Sequence, residues 1–117
     1  MKKDNIIYIR HIIECIDKIQ KYLSGKSWDN FNEDDILQDA VVRQFEIMGE
    51  ATKKIETEFR DLHPEIAWKK MAGLRDVLIH NYIDVNFDLL WEIQETVLPE
   101  LRIQIAELLK THEDSGY

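Results

Sequence analysis

Apolar residues recur at helical spacing from near the start of the chain to about residue 108. Intervals of three and four residues place such side chains on one face of an α-helix, and no alternating run bounded by hairpin-turn residues interrupts them. Because a chain of 117 residues has room for one hydrophobic core, the pattern predicts a single all-α domain. With four Gly and two Pro, a low-complexity or collagen-like chain is excluded.

Capping and helix-breaking residues divide this pattern into an antiparallel bundle of four helices, or five if Pro99 breaks the last one. The third helix is apolar nearly all round, which is typical of a helix buried at the centre of a bundle. Residues 1–110 should form the domain, and 111–117 a disordered tail. The expected helices span residues 4–23, 32 or 34 to 62, 65 or 67 to 80, and 84 or 86 to 108.

The cysteine content and the absence of a long apolar run indicate where such a chain works. The single cysteine, Cys15, cannot form an internal disulfide, and no stretch approaches the roughly 18 apolar residues that span a bilayer. We therefore expect a cytoplasmic protein that makes no membrane contact.

Charge is distributed unevenly along the chain. The formal net charge is −8, which argues against a protein that coats nucleic acid by electrostatics alone. Residues 68–82 nevertheless carry three basic groups and one acidic group. Any anionic ligand is therefore expected to bind at this basic segment.

Most residues that could carry chemistry have a simpler structural interpretation. The four histidines lack the spacing of a zinc-binding helix, and the carboxylate pair Glu46 and Glu50 fits a solvated helix face. Cys15 lies beside the apolar face of the first predicted helix, which favours a buried structural thiol over a nucleophile. We predict neither a metal ion nor another cofactor.

The exception is the segment 73–82, in which Arg75, Asp76 and His80 interrupt the most apolar helix of the chain. Such groups are costly to bury without partners, so they form either a satisfied structural network or a functional cleft. On a continuous helix, a spacing of five residues would place Arg75 and His80 about 140° apart around the helix axis. Either the helix ends near His80, or a second copy of the helix brings the two residue types together in a two-fold dimer. Asp76, four residues before His80, could orient the imidazole.

Arg75-x4-His80-x-Tyr82 resembles the R-x4-H-x-Y signature of the HepT-like toxins in the HEPN (higher eukaryote and prokaryote nucleotide-binding) superfamily. Ala67 departs from the pattern, because the family is expected to have proline there. The other segments that resemble the family are residues 45–51, 63–68, 71–76 and 91–93.

The resemblance implies a dimeric, metal-independent endoribonuclease toxin with Arg75 and His80 as catalytic residues in a composite cleft. It also implies an MntA-like minimal nucleotidyltransferase as the antitoxin partner, which would silence the toxin by transferring AMP to Tyr82. Asp76 would then orient His80. Lys69 and Lys70, with Arg43, are candidate contacts for the RNA backbone, although all three also suit a solvated surface.

Two other interpretations remain open for the same residues. The chain could be a non-catalytic, nucleotide-binding accessory partner of a nucleotidyltransferase, which the resemblance also supports. It could instead be a dimerisation module in which Arg75, Asp76 and His80 form a structural network. In the latter case, substitution of these residues should lower stability before any activity.

Overall fold

The computed structural model describes residues 3–81 and 84–114, and its regular secondary structure is helical apart from two short strands. This confirms the predicted all-α class. Residues Ile79–Asn81 (β1) and Asp84–Val85 (β2) pair antiparallel, and no strand was predicted there. The helices are α1 Lys3–Leu23, α2 Trp28–Glu33, α3 Asp35–Lys54, α4 Thr57–Asp61, α5 Trp68–Ala72, α6 Leu74–Leu78, α7 Phe87–Thr96 and α8 Leu98–Asp114.

The core lies where α1 packs along α3 and α8. The apolar residues that recur at helical spacing along α1, α3 and α8 face this junction, and most of them are buried. Burial of these faces removes apolar surface from water, which is the main force holding such a bundle together. The fully buried side chains at this junction are Ile9, Ile12, Ile16, Ile19, Val41, Met48 and Ile105.

The prediction of one continuous second helix is wrong, because this part of the chain divides into α3 and α4. Ile55 has extended backbone angles, and Glu56 is the residue that precedes α4. The buried Asn5 side chain donates to the Glu56 carboxylate at 3.0 Å and accepts from the Glu56 backbone N–H at 3.1 Å. The second of these hydrogen bonds satisfies the backbone N–H of Glu56 at the break. Beyond the break, Leu62 lies on the surface.

The predicted third helix is also shorter and more interrupted than expected. It divides at Gly73 into α5 and α6, and it ends at Leu78. Its buried side chains include Trp68 and Leu74, but Val77 is 49% exposed, so the expectation of burial all round is wrong. The chain then turns into β1, whose pairing with β2 is extended by a hydrogen bond from the Asn86 N–H to the Leu78 carbonyl.

Helix α2 was not predicted. Ser27 and Asn30 form a reciprocal capping box at its start, with bonds of 3.0 and 3.1 Å. Phe31 of α2 is fully buried and lies 5.5 Å, between ring centroids, from Trp91 of α7. Aromatic packing of this kind stabilises a helix too short to persist alone.

The last predicted helix is broken near Pro99, as expected. Helix α7 ends at Thr96 and α8 begins at Leu98, so Pro99 lies in the first turn of α8, where a missing N–H costs little. Helix α8 continues to Asp114, past the predicted end of the domain at residue 110. Within residues 3–81 and 84–114, no helix is both long and apolar enough to cross a membrane.

Candidate active site

Arg75 lies in the first turn of α6, with its side chain directed toward α3. Its Nε donates to Oε2 of Glu46 at 3.4 Å, and 47% of the Arg75 side chain is exposed. Leu74 and Leu78, on either side of it in sequence, are buried and anchor α6 to the core. The guanidinium is therefore accessible to a ligand while its helix is held in place.

The remaining residues of the predicted site follow Arg75 along the chain. Asp76 is exposed. His80 is in β1, two residues after the end of α6, so the chain has left the helix before the histidine. A helix that ends before His80 is the first of the two arrangements that could bring the Arg75 and His80 side chains together. Tyr82 lies outside the described residues, and so do the surroundings of the His80 side chain.

A close contact between helices fixes the position of the Arg75 segment. Gly49 of α3 faces the backbone of α5, and a Cβ at this position would lie 3.4 Å from the carbonyl oxygen of Met71 and 3.7 Å from that of Ala72. A larger side chain on α3 would hold the two helices apart. A mid-helix glycine that costs helix stability is thus explained by packing.

The predicted RNA-contacting residues are all exposed, but they lie on two different elements. Lys69 and Lys70 project from α5, and Arg43 from α3. Lys69 and Lys70 also line a groove of 1070 Å³ whose floor is mainly apolar and which includes Val77 and Val97. This groove places basic and apolar groups next to the helix that carries Arg75.

One other titratable side chain, that of Cys15, has a clear environment. Burial raises the pKa of the Cys15 thiol to about 11, which fits the predicted structural thiol and disfavours a nucleophile. Among the described residues, no three His, Cys, Asp or Glu side chains cluster closely enough to hold a metal ion.

Two side-chain contacts were missed from the sequence. Glu46 was assigned to a solvated face, yet it contacts Arg75, 29 residues away. His63 and His112 place their Nε2 atoms 3.1 Å apart. Both contacts join residues distant in the chain, and no local pattern signals them.

Comparison with known proteins identifies relatives of the whole bundle. The family profile described as "Ribonuclease HepT-like" matches residues 12–108. A Caldanaerobacter subterraneus protein provisionally named as an RNase is 40% identical over 103 residues, which cover 88% of this chain and 92% of that protein. A Thermococcus cleftensis protein provisionally named ribonuclease HepT is 38% identical over 110 residues, which cover 94% of this chain and all of that protein.

A third relative is longer than this chain. A Methanocaldococcus jannaschii protein, named as a gamma-glutamylcyclotransferase and provisionally as an RNase, is 41% identical over 110 residues. The match covers 94% of this chain but half of the relative. No solved structure matches. The family profile covers Arg75, Asp76 and His80, together with every helix from α2 to α7, and the chain therefore belongs to the HepT-like ribonuclease family.

Proposed function

We propose that this chain is the toxin of a toxin–antitoxin pair and cleaves RNA as a metal-independent endoribonuclease. The observation that carries the proposal is the exposed guanidinium of Arg75, held on a short helix that ends two residues before His80. Both residues lie within the region that matches the HepT-like ribonuclease family.

Arg75 and His80 have the chemistry that RNA cleavage without a metal requires. The ribose 2′-oxygen attacks the adjacent phosphorus, and the bond to the 5′-oxygen breaks. His80 accepts the 2′-OH proton, and the His80 of a second copy donates a proton to the leaving oxygen. Arg75 binds the phosphate through its paired N–H groups and stabilises the charge that develops on it. The products are a 2′,3′-cyclic phosphate and a 5′-hydroxyl.

The proposed active form is a homodimer. A single histidine cannot be base and acid in the same step, whereas a two-fold dimer supplies one from each copy. The groove beside α6, which is lined by the half-exposed Val77, supports this arrangement because apolar surface of this kind favours association.

We further propose that an MntA-like nucleotidyltransferase is the antitoxin and that it transfers AMP to Tyr82. Tyr82 belongs to the same sequence motif as Arg75, and the phosphate of an attached AMP would compete with RNA for the guanidinium. Asp76 would orient His80, and the cytoplasm is the compartment in which such a toxin meets its RNA. Lys69, Lys70 and Arg43 would contact the RNA backbone, and added salt should inhibit cleavage steeply.

The decisive experiment is digestion of mixed cellular RNA by the purified protein in excess EDTA. We expect the wild type to degrade RNA and to leave cyclic phosphate ends, and we expect folded His80→Ala and Arg75→Ala proteins to lose at least about 100-fold in rate.

Circular dichroism and intact mass provide the controls. Equal helicity would show that the variants are folded, and a mass without added AMP would show that Tyr82 is unblocked. If unmodified wild-type protein cuts no RNA, the nuclease proposal fails. The accessory partner of a nucleotidyltransferase is then the better assignment.

A further inference from the structure

We propose that Glu46 is a positioning residue for Arg75 and fixes the direction in which the guanidinium faces RNA. The inference rests on the proposed ribonuclease function and extends it to a residue on a different helix. It starts from one contact: Glu46 Oε2 accepts a hydrogen bond from Arg75 Nε at 3.4 Å.

The atom contacted determines what the pair can do. A guanidinium presents its Nε–H along one edge and its terminal NH₂ groups on the others. Glu46 accepts a hydrogen bond at the Nε edge of the guanidinium. The terminal nitrogens can therefore bind a phosphate without displacing the carboxylate.

Glu46 is built into a rigid part of the fold. It lies in the middle of α3, next to Phe45, which is 1% exposed, and one turn before the tightly packed Gly49. Its own side chain is 29% exposed, less than that of Arg75. A flexible arginine on a five-residue helix is thereby tied to a 20-residue helix of the core.

The pair is suited to orientation and contributes little to stability. Partly exposed ion pairs contribute little to folding, because water screens the charges. Holding a catalytic group at the right angle, by contrast, can change the rate of reaction substantially. Loss of Glu46 should thus lower kcat clearly while it changes the melting temperature little.

Glu50 provides a matched control on the same helix. It lies one turn further along α3, is 60% exposed and pairs with Lys53 at 3.6 Å instead of with Arg75. Glu50→Ala removes the same charge and the same number of atoms as Glu46→Ala. An effect of charge alone would appear in both variants.

The test is steady-state cleavage of a short fluorescent RNA by wild type, Glu46→Ala, Glu46→Gln and Glu50→Ala. We expect Glu46→Ala to lower kcat about tenfold without raising KM, because the phosphate site loses its orientation and also a nearby negative charge. Glu46→Gln keeps an oxygen that can accept from Nε, so it should recover part of the rate. Glu50→Ala should match the wild type in kcat.

A double substitution separates positioning from a general structural role. In an Arg75→Lys background, which has no Nε–H to orient, Glu46→Ala should cause no further loss of kcat. A further tenfold loss there, or a rise in kcat in the single variant, would overturn the inference. A rise would indicate that Glu46 competes with RNA for the arginine.

Nuclear magnetic resonance of the arginine Nε–H groups tests the inference without cleavage. The Arg75 Nε–H should be protected from solvent exchange in the wild type and in Glu50→Ala, and should lose that protection in Glu46→Ala. Equal protection in all three proteins would overturn the inference. If the wild type cuts no RNA, the proposed function fails, and this resonance still decides whether Glu46 positions Arg75.

Discussion

At the scale of single residues, the contact between His63 and His112 joins the segment after α4 to the end of α8. Their Nε2 atoms are 3.1 Å apart, and both rings pack against Phe59. Partial burial, and then the neighbouring His63, lower the pKa of His112 below 6.5. The neutral form of His112 is thus favoured in the folded protein.

We predict that this pair makes the protein less stable in mild acid. Because the pKa of His112 is lower in the folded state than in the unfolded state, the unfolded chain binds the proton more readily. The stabilisation is complete above pH 6.5 and is lost as pH falls through the lowered pKa. The melting temperature of His112→Gln should therefore fall less between pH 7.5 and 5.5 than that of the wild type, as measured by circular dichroism.

His11 supplies the control for this measurement, because it is an exposed histidine on α1. His11→Gln should follow the wild-type profile of melting temperature against pH. Parallel profiles for the wild type and His112→Gln would show that the pair does not govern acid stability.

At the scale of elements, the approach of α3 to α5 at Gly49 controls where the Arg75 segment lies. We predict that Gly49→Leu destabilises the protein by about 1–3 kcal/mol, because a branched side chain cannot fit against the Met71 carbonyl oxygen. Gly49→Ala should stay within about 1 kcal/mol of the wild type, since better helix propensity offsets a contact at the edge of the normal range. Urea unfolding measures both changes.

RNA cleavage by the same two variants extends this prediction to the site. Gly49→Leu should also lose activity under conditions in which it is folded, because α5 leads directly into α6. Full activity in folded Gly49→Leu would contradict the view that this contact positions Arg75.

Sequence patterns predicted the helices better than their interruptions. The stripe of α1 and the break near Pro99 follow from local chemistry, and both are as expected. The break at Ile55 depends on Asn5, which is 51 residues from its partner Glu56, so no local pattern signals it. The missed helix α2 did carry a signal, since Ser27 and Asn30 stand at capping-box spacing, although with Asn in place of the usual Glu or Gln.

In the candidate site too, residues with a local sequence signal were predicted, and contacts between distant residues were missed. Arg75, Asp76 and His80 stood out because they interrupt an apolar segment, and the structure shows Arg75 and Asp76 exposed there. Glu46 did not stand out, because a carboxylate on a helix face is ordinary until its partner is known. Contacts between elements are thus the part of the site that local sequence patterns do not reveal.

At the scale of the whole molecule, the groove beside α6 connects the site to the proposed dimer. Val77 on α6 and Val97, between α7 and α8, are both about half exposed and both line the groove. A carboxylate placed there would lose much of its hydration in a mainly apolar interface, and this cost weakens association. We predict that Val77→Glu converts a dimer of twice 13.9 kDa into a monomer.

Light scattering after size-exclusion chromatography measures this change, and RNA cleavage shows its consequence. If the cleft needs a histidine from each copy, the Val77→Glu monomer should cut RNA at least about 100-fold more slowly than the wild-type dimer. Ile36→Glu is the control, because Ile36 is 83% exposed on α3 and lies outside the groove, so its mass and activity should not change. A fully active Val77→Glu monomer would place base and acid within one chain, which excludes the two-copy mechanism and leaves Arg75 in a self-contained site.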